Sequence, residues 1–288
     1  MAASYPIETA AESEIEALGA ARVRQGWLPN LPLLRAITGW EGGKVFVLRE
    51  GALNPASATP EALVATTAAI AAGPVGVIGN VLVREDSRRR GLGRQVMDAA
   101  VAWMRARGVR WMLLDATEDG RPLYVRMGFT GIDTSYYAWG PLDALHIAPA
   151  TNTHARRAAA SELGRVRWLD EQAFGGDRIG LVARLLAEPG AALYLAEDSG
   201  GAIAGYLLAR PAEAPRTGAR VGPWVARSPA TAAALLARAL EADAPWRAYL
   251  PPASAQDARL ALSLPGSSTA AIELLRAAGL RVEADDLI

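Results

Sequence analysis

The 288-residue sequence predicts an α/β chain, in the mixed α+β sense, built as two domains of similar design. Three observations lead there. The length exceeds what one ordinary core organises and suits two. Helical and strand periodicities alternate along the first half. The same order of elements then returns in the second half, which is the mark of an internal duplication.

Taken in order, residues 10–24 are rich in Ala and Glu and read as a helix, and 44–49 as a strand. The Pro, Asn and Ser content of 53–60 marks a loop, after which 63–67 and 75–83 read as two strands joined across Gly73-Pro74. A basic, glycine-containing turn follows at Arg88, Arg89, Arg90, Gly91, Leu92 and Gly93. It opens into a helix whose apolar face is Leu92, Val96, Ala99, Ala100 and Trp103, with Gly108 as its stop. Residues 109–115 are a strand, Pro122 starts a short helix closed by Gly128, and 129–139 resembles a closing hairpin. Between 140 and 160 periodicity is lost, so the domains are expected at 1–147 and 148–288. In the second half, helices are expected over 163–174 and 178–187, strands over 192–197, 202–209 and 220–226, then a helix to Leu240 and a last one ending at Gly279.

Composition removes several function classes. With 30 Lys+Arg against 30 Asp+Glu there is no net field to draw in nucleic acid or a membrane surface. The absence of cysteine excludes thiolate chemistry and disulfides, and two histidines, His146 and His154, leave no expected metal site. The start of the chain has no basic region followed by an apolar stretch, so a cytoplasmic protein is expected. The uncharged run 62–83 is long enough to span a bilayer, but its Gly, Pro, Asn and Thr content suits buried strands better.

The turn at 88–93 carries the strongest chemical signal. A strand leads in and a helix leads out, so converging backbone N–H groups and the positive helix end favour an anion such as a pyrophosphate, with Arg94 adding charge. A P-loop would need Gly-Lys followed by Ser or Thr, and a dinucleotide fingerprint would need glycine where Val96 stands. Taken alone, the turn could also be a solvated basic loop before a helix.

Arg88-x-x-Gly91-x-Gly93 after a strand ending at Val83 resembles the acetyl-CoA pyrophosphate motif of the GNAT superfamily of N-acyltransferases. Leu123-Tyr124-x-x-x-Gly128-Phe129 resembles its second signature, in the family order and with one strand between. The likeness covers about 45–139. It implies two domains, each a mixed, mostly antiparallel central sheet flanked by helices. It also implies that the backbone of Arg89 to Arg94 wraps the pyrophosphate, and that Val81, Leu82 and Val83 pair with the pantetheine arm. The N–H of Leu82 or Val83 would then polarise the thioester carbonyl. Tyr124 takes the place of the general acid that protonates the departing thiolate, although a tyrosine there can also fill a core. Where the family often has Asn, this chain has Thr117, whose hydroxyl can still reach the pantetheine or a strand backbone.

The attacking amine must lose a proton. Asp115 at a strand end is the candidate base, with Glu118 and Asp119 as alternatives, and Asn80 could orient a water. In the second half, aligning Val225 with Val83 puts Ala233 and Leu235 in place of Gly91 and Gly93, and aligning the last helix end puts Leu275 in place of Tyr124. That half is expected to be a degenerate GNAT-like domain without a pyrophosphate loop. Trp27, Trp40, Tyr136 and Tyr137 are candidates for an acceptor pocket or for the core, and Trp224 and Trp246 for the same two roles. The expected activity is transfer of an acetyl group from acetyl-CoA, as cosubstrate, to the amine of a small molecule, by a monomer or homodimer. The alternatives are a silent acyl-CoA sensor and a protein N-acetyltransferase.

Overall fold

The computed structural model describes residues 5–50, 62–147, 153–214, 216–251 and 258–284. The loop expected over 53–60 lies outside them, as does the middle of the expected linker, 148–152. The strands are β1 (Glu8–Thr9), β2 (Gly43–Arg49), β3 (Leu63–Ala72), β4 (Val75–Val83), β5 (Trp111–Leu114), β6 (Ser135–Pro141), β7 (Ala155–Ala158), β8 (Ala192–Glu197), β9 (Ile203–Pro211), β10 (Gly218–Ala226), β11 (Arg259–Pro265) and β12 (Arg281–Ala284). The helices are α1 (Ile15–Arg24), α2 (Leu31–Thr38), α3 (Leu92–Ala106), α4 (Arg121–Arg126), α5 (Arg167–Phe174), α6 (Ile179–Leu186), α7 (Pro229–Ala239) and α8 (Thr269–Ala277). They form two compact units, Met1–Asp115 with Phe174–Leu185, and Ala116–Ala173 with Leu186–Ile288.

In the first unit the sheet order is β1-β2-β3-β4-β5. Every neighbouring pair is antiparallel except β4 and β5. The β3–β4 hairpin turns through Gly73 at φ 64 and Pro74. A positive φ at the first of two loop residues suits a primed turn, which matches strand twist. This hairpin is the uncharged run of 62–83, and no helix among the described residues is long and apolar enough to cross a membrane. Helix α3 buries Leu92, Val96, Met97, Ala100 and Met104, and its first turns join Leu48, Val64 and Ala65 in one apolar cluster. Ala99 and Trp103, assigned from sequence to the same face, are only half-buried.

The first unit also takes in α6 from late in the sequence. Trp40 packs against Gly180, and Gly176 runs so close to β3 that a Cβ on it would lie 1.8 Å from the Ala72 carbonyl oxygen. Side chains are excluded at such a contact.

The second unit holds a seven-stranded sheet, β12-β6-β11-β10-β9-β8-β7, antiparallel except for β10 with β11. Helices α7 and α8 supply Leu235, Leu236, Ile272 and Leu275 to a core with Tyr194, Leu207, Leu260 and Trp246. The Trp246 indole N–H donates to the Ala239 carbonyl at 2.9 Å, so this aromatic is a satisfied core residue.

The two sheets, mixed and mostly antiparallel with flanking helices, are of the expected kind. Three local readings differ. The hairpin expected over 129–139 does not form: β6 is a single strand, inserted between β11 and β12 of the second sheet. Its partners lie more than a hundred residues away, where no local pattern points to them. Helix α2 has no counterpart in the sequence reading, because Pro32 and the apolar run around it hide a helix whose first turn tolerates proline. The strand expected over 63–67 continues to Ala72, since Ala68 to Ala72 pair with β4 despite weak strand propensity.

Candidate functional site

Strand β4 changes character halfway along. Val75 to Ile78 pair with Trp111 to Leu114 of β5, and pairing stops there. Beyond Ile78 the β5 side of β4 has no strand partner among the described residues, leaving a slot along 79–83. On the other side the β3–β4 register shifts between Thr66 and Ala68, so β4 carries extra backbone around Asn80, which sits at φ 55. Two buried hydroxyls hold this bulge. Thr66 Oγ1 donates to the Asn80 carbonyl at 3.1 Å and Thr67 Oγ1 to the Gly79 carbonyl at 3.3 Å. Bulges re-aim a strand and end its pairing. Past the bulge, Arg84 N–H donates to the Val64 carbonyl at 2.9 Å. By the two-residue alternation of a strand, Leu82 N–H then faces β3 and Val83 N–H faces the slot. Leu82 is buried, and Val81 and Val83 are half-buried.

The slot runs on toward α3. Ser87 is buried beneath the turn, and Arg88, Arg89 and Arg90 are exposed on it. Arg89 has φ 60 and Gly91 has φ 79. Gly91 is the N-cap of α3, and no side chain caps the helix there. The first intrahelical bond runs from Gln95 N–H to the Gly91 carbonyl at 3.1 Å, so the N–H groups of Leu92, Gly93 and Arg94 lie in an open first turn. Leu92 anchors the turn in the core while Gly93 is half-buried. The surrounding cations are only lightly held. Arg88 Nη2 donates to Gln25 Oε1 at 3.4 Å, Arg90 Nη2 to Tyr5 Oη at 3.0 Å, and Arg94 pairs with Asp98 at 2.8 Å, with Arg94 and Asp98 both half-exposed. Exposed pairs of this kind are worth little and are readily exchanged. Geometry and charge together make an anion seat.

Near the bulge, Asn80 Oδ1 accepts from Arg22 Nη1 at 2.5 Å and from Asn30 Nδ2 at 3.5 Å. Asn80 is thus tied to the α1–α2 segment, with Trp27 beside it under the Arg22 guanidinium at 5.1 Å. Among the described residues the non-glycine residues with positive φ are Asn30, Asn80 and Arg89: Asn80 lies on the slot, Arg89 on its loop, and Asn30 bonds to Asn80. Unusual backbone of that kind gathers at functional sites.

The other sequence candidates are distributed as follows. Asp115 is exposed directly after β5, in the first unit. Thr117, Glu118, Asp119 and Tyr124 fall in the second unit. The Thr117 hydroxyl accepts from Gly120 N–H at 3.2 Å and its carbonyl from Arg121 N–H at 2.9 Å, so Thr117 secures the start of α4. Glu118 and Asp119 are exposed. Tyr124 is 7% exposed, edge-on to Phe129 at 6.3 Å, and its ring covers Gly120, where a Cβ would come within 3.1 Å of the hydroxyl. Burial pushes the Tyr124 phenol up to about 12. Trp40 packs against glycines, Tyr136 and Trp224 pack on the second core, Tyr137 meets Arg216, and His146 is exposed. Among the described residues no group of three His, Cys, Asp or Glu side chains could hold a metal. The hydroxyls of Thr66 and Thr67 were missed from sequence; two adjacent threonines in an Ala-rich strand were the available signal.

In the second unit the matching strands behave alike up to a point. Gly218, Ala219 and Arg220 of β10 pair with β11, and β10 then separates from it, with a register shift toward β9 between Val221 and Trp224. The helix that follows begins differently from α3. Ser228 caps α7 by accepting Thr231 N–H at 3.1 Å, and Pro229 brings no N–H to its first turn.

Residues 32–129 match the family model described as Acetyltransferase (GNAT) family, and residues 166–285 match the one described as Acetyltransferase (GNAT) domain. No curated protein matches the sequence. Among solved structures, an acetyltransferase described as putative from Pyrococcus horikoshii is 19% identical with a TM-score of 0.67, covering 97% of this chain and 86% of that one. A tandem GNAT protein from the clavulanic acid biosynthesis pathway is 14% identical with a TM-score of 0.60, over 96% of this chain and 95% of that one. A GCN5-related N-acetyltransferase from Sphaerobacter thermophilus is 16% identical with a TM-score of 0.58, over 97% and 93%. At such identities the likeness is one of fold. With a family match in each half of the sequence, the chain belongs to the GNAT acetyltransferase family and carries two of its domains in tandem.

Proposed function

We propose that the chain is an N-acetyltransferase that moves an acetyl group from acetyl-CoA to the amine of a small molecule by direct attack, with one cosubstrate bound per chain. The observation that carries this reading is the unpaired half of β4 leading into the uncapped N-terminus of α3 at Gly91. The anion seat suits the pyrophosphate, and the free strand edge suits the amides of the pantetheine arm, which can add to β4 as a further strand. Val83 N–H, which faces the slot, is the donor for the thioester oxygen.

In the proposed reaction the amine nitrogen attacks the thioester carbon, the oxyanion is held by the β4 amide, and the C–S bond breaks. Tyr124 gives its proton to the departing sulfur, and its raised pKa keeps that proton in place through the neutral range. Asp115, exposed at the end of β5, accepts the proton that the amine releases. The second GNAT domain is read as degenerate, because Ser228 and Pro229 close the helix end where a pyrophosphate would sit.

The test is release of free thiol from acetyl-CoA across a panel of small amines, with a stoichiometry near one acetyl-CoA per chain by calorimetry. Binding without turnover for any acceptor would favour a sensor. Turnover confined to peptide N-termini or lysine side chains would favour a protein acetyltransferase.

A further inference from the structure

The second unit contains a charged feature that the transfer reaction does not use. Arg210 on β9 and Arg220 on β10 are direct cross-strand partners, so their side chains leave the same face of the sheet. Arg210 is 5% exposed, and its Nε and Nη1 are buried without a hydrogen-bond partner. Arg220 is half-buried, and among the described residues neither guanidinium forms an ion pair. Glu213 and Glu188 act on Arg210 only at longer range, while Arg220 opposes it; around Arg220 stand Tyr137, Glu213 and Arg216. Burial lowers both guanidinium pKa values, that of Arg210 to about 10; arginine side chains in proteins keep their charge.

Two like charges side by side in a sheet destabilise it, and a buried charge without a partner costs more still. The sheet position explains why they meet. Arg220 is the last β10 residue paired with β11, at Ala261, so it stands at the point where the two strands separate. In the first unit the corresponding last pair is Ile78 with Leu114, and the β3 neighbour of Ile78 is Ala69, so the same place there is apolar. The charge is therefore a property of the second unit and of the fork between its strands.

We propose that Arg210 and Arg220 form a binding site for a compact oxyanion, the phosphate or carboxylate group of a small molecule, at the fork between β10 and β11. Planar guanidinium forks meet both anions in bidentate fashion, and an anion seated against the pair would offset the like-charge repulsion between the two partners. The site is independent of the acetyl-transfer reading, which rests on residues of the first unit and Tyr124.

Calorimetric titration of the full chain with inorganic phosphate, and separately with malonate, at fixed ionic strength, identifies the anion. One of the two is expected to bind and to raise Tm, with affinity weakened at least about tenfold in Arg220→Gln and in Arg210→Met. In buffer free of phosphate and carboxylates, with chloride as the counter-ion, Arg210→Met is expected to melt no lower than the wild type, because an unpaired buried charge has been removed. Heats no larger than dilution for both anions, or binding that survives both substitutions, overturns the site. So does an Arg210→Met variant that melts lower without anion and keeps the anion-dependent rise.

Discussion

Replacing Tyr124 by Phe removes one oxygen and tests two arguments at once. Burial alone acts on the hydroxyl and no hydrogen bond to it forms among the described residues, so its loss leaves no orphaned group, and folding should be preserved. Burial raises the phenol from 10.0 to about 12. At about 1.4 kcal/mol per unit, the folded state disfavours the phenolate by about 3 kcal/mol. The sign follows from proton counts. Between the unfolded and folded pKa values the folded chain holds more protons, so stability is full below pH 10 and falls as pH rises toward 12. At pH 11 the loss from this residue is about 1.4 kcal/mol. Urea unfolding at pH 8 and pH 11 should therefore show a pH-dependent loss that is smaller in Tyr124→Phe by about that amount; Tyr194, also raised by burial, contributes equally to both proteins. In turnover, losing a general acid should lower kcat by about a hundredfold or more with little change in KM for acetyl-CoA. Equal pH dependence in the two proteins would refute the buried-phenol argument. Wild-type kcat in the variant would refute the acid.

Three other substitutions separate the remaining features. Gly91→Ala meets no steric obstacle, since nothing lies within 4 Å, so its cost of about 1–2 kcal/mol is that of φ 79 alone, and acetyl-CoA affinity by calorimetry should fall with it as the first-turn N–H groups shift. Gly176→Ala drives a methyl into the Ala72 carbonyl, and denaturant unfolding should show a loss of about 2 kcal/mol or more. Ser228→Ala removes the α7 cap, lowering stability by about 1 kcal/mol while leaving thiol release unchanged, because that helix end has no part in the proposed reaction.

What could be read from sequence was local. The passage from β4 through Arg88 to Gly93 into α3 is consecutive in the chain, and its glycines, arginines and apolar spacing each carry their own physical meaning. What escaped depends on register. Arg210 and Arg220 are unremarkable in the sequence and become a pair only because two strands align at that step. The bulge at Asn80 is invisible without the partner strand whose threonines fasten it. Val83 rather than Leu82 faces the slot for the same reason: alternation is legible in sequence, but its phase is set by the neighbour. The place of β6 lies at the far end of that scale, since its partners are β11 and β12.

The compact units draw on both halves of the sequence: the first takes in Phe174–Leu185, and the second takes in everything from Ala116 onward except that segment. A gene cut at 147 would encode two fragments, one lacking α6 and the other lacking α4 and β6. Neither would be a miniature of the whole, and co-expression of the pieces, not expression of either alone, is the route to a soluble split protein. A chain ended at 147 would take α6 away from the first unit, so the later half of the sequence is needed for the architecture of the first unit whatever chemistry the second unit does.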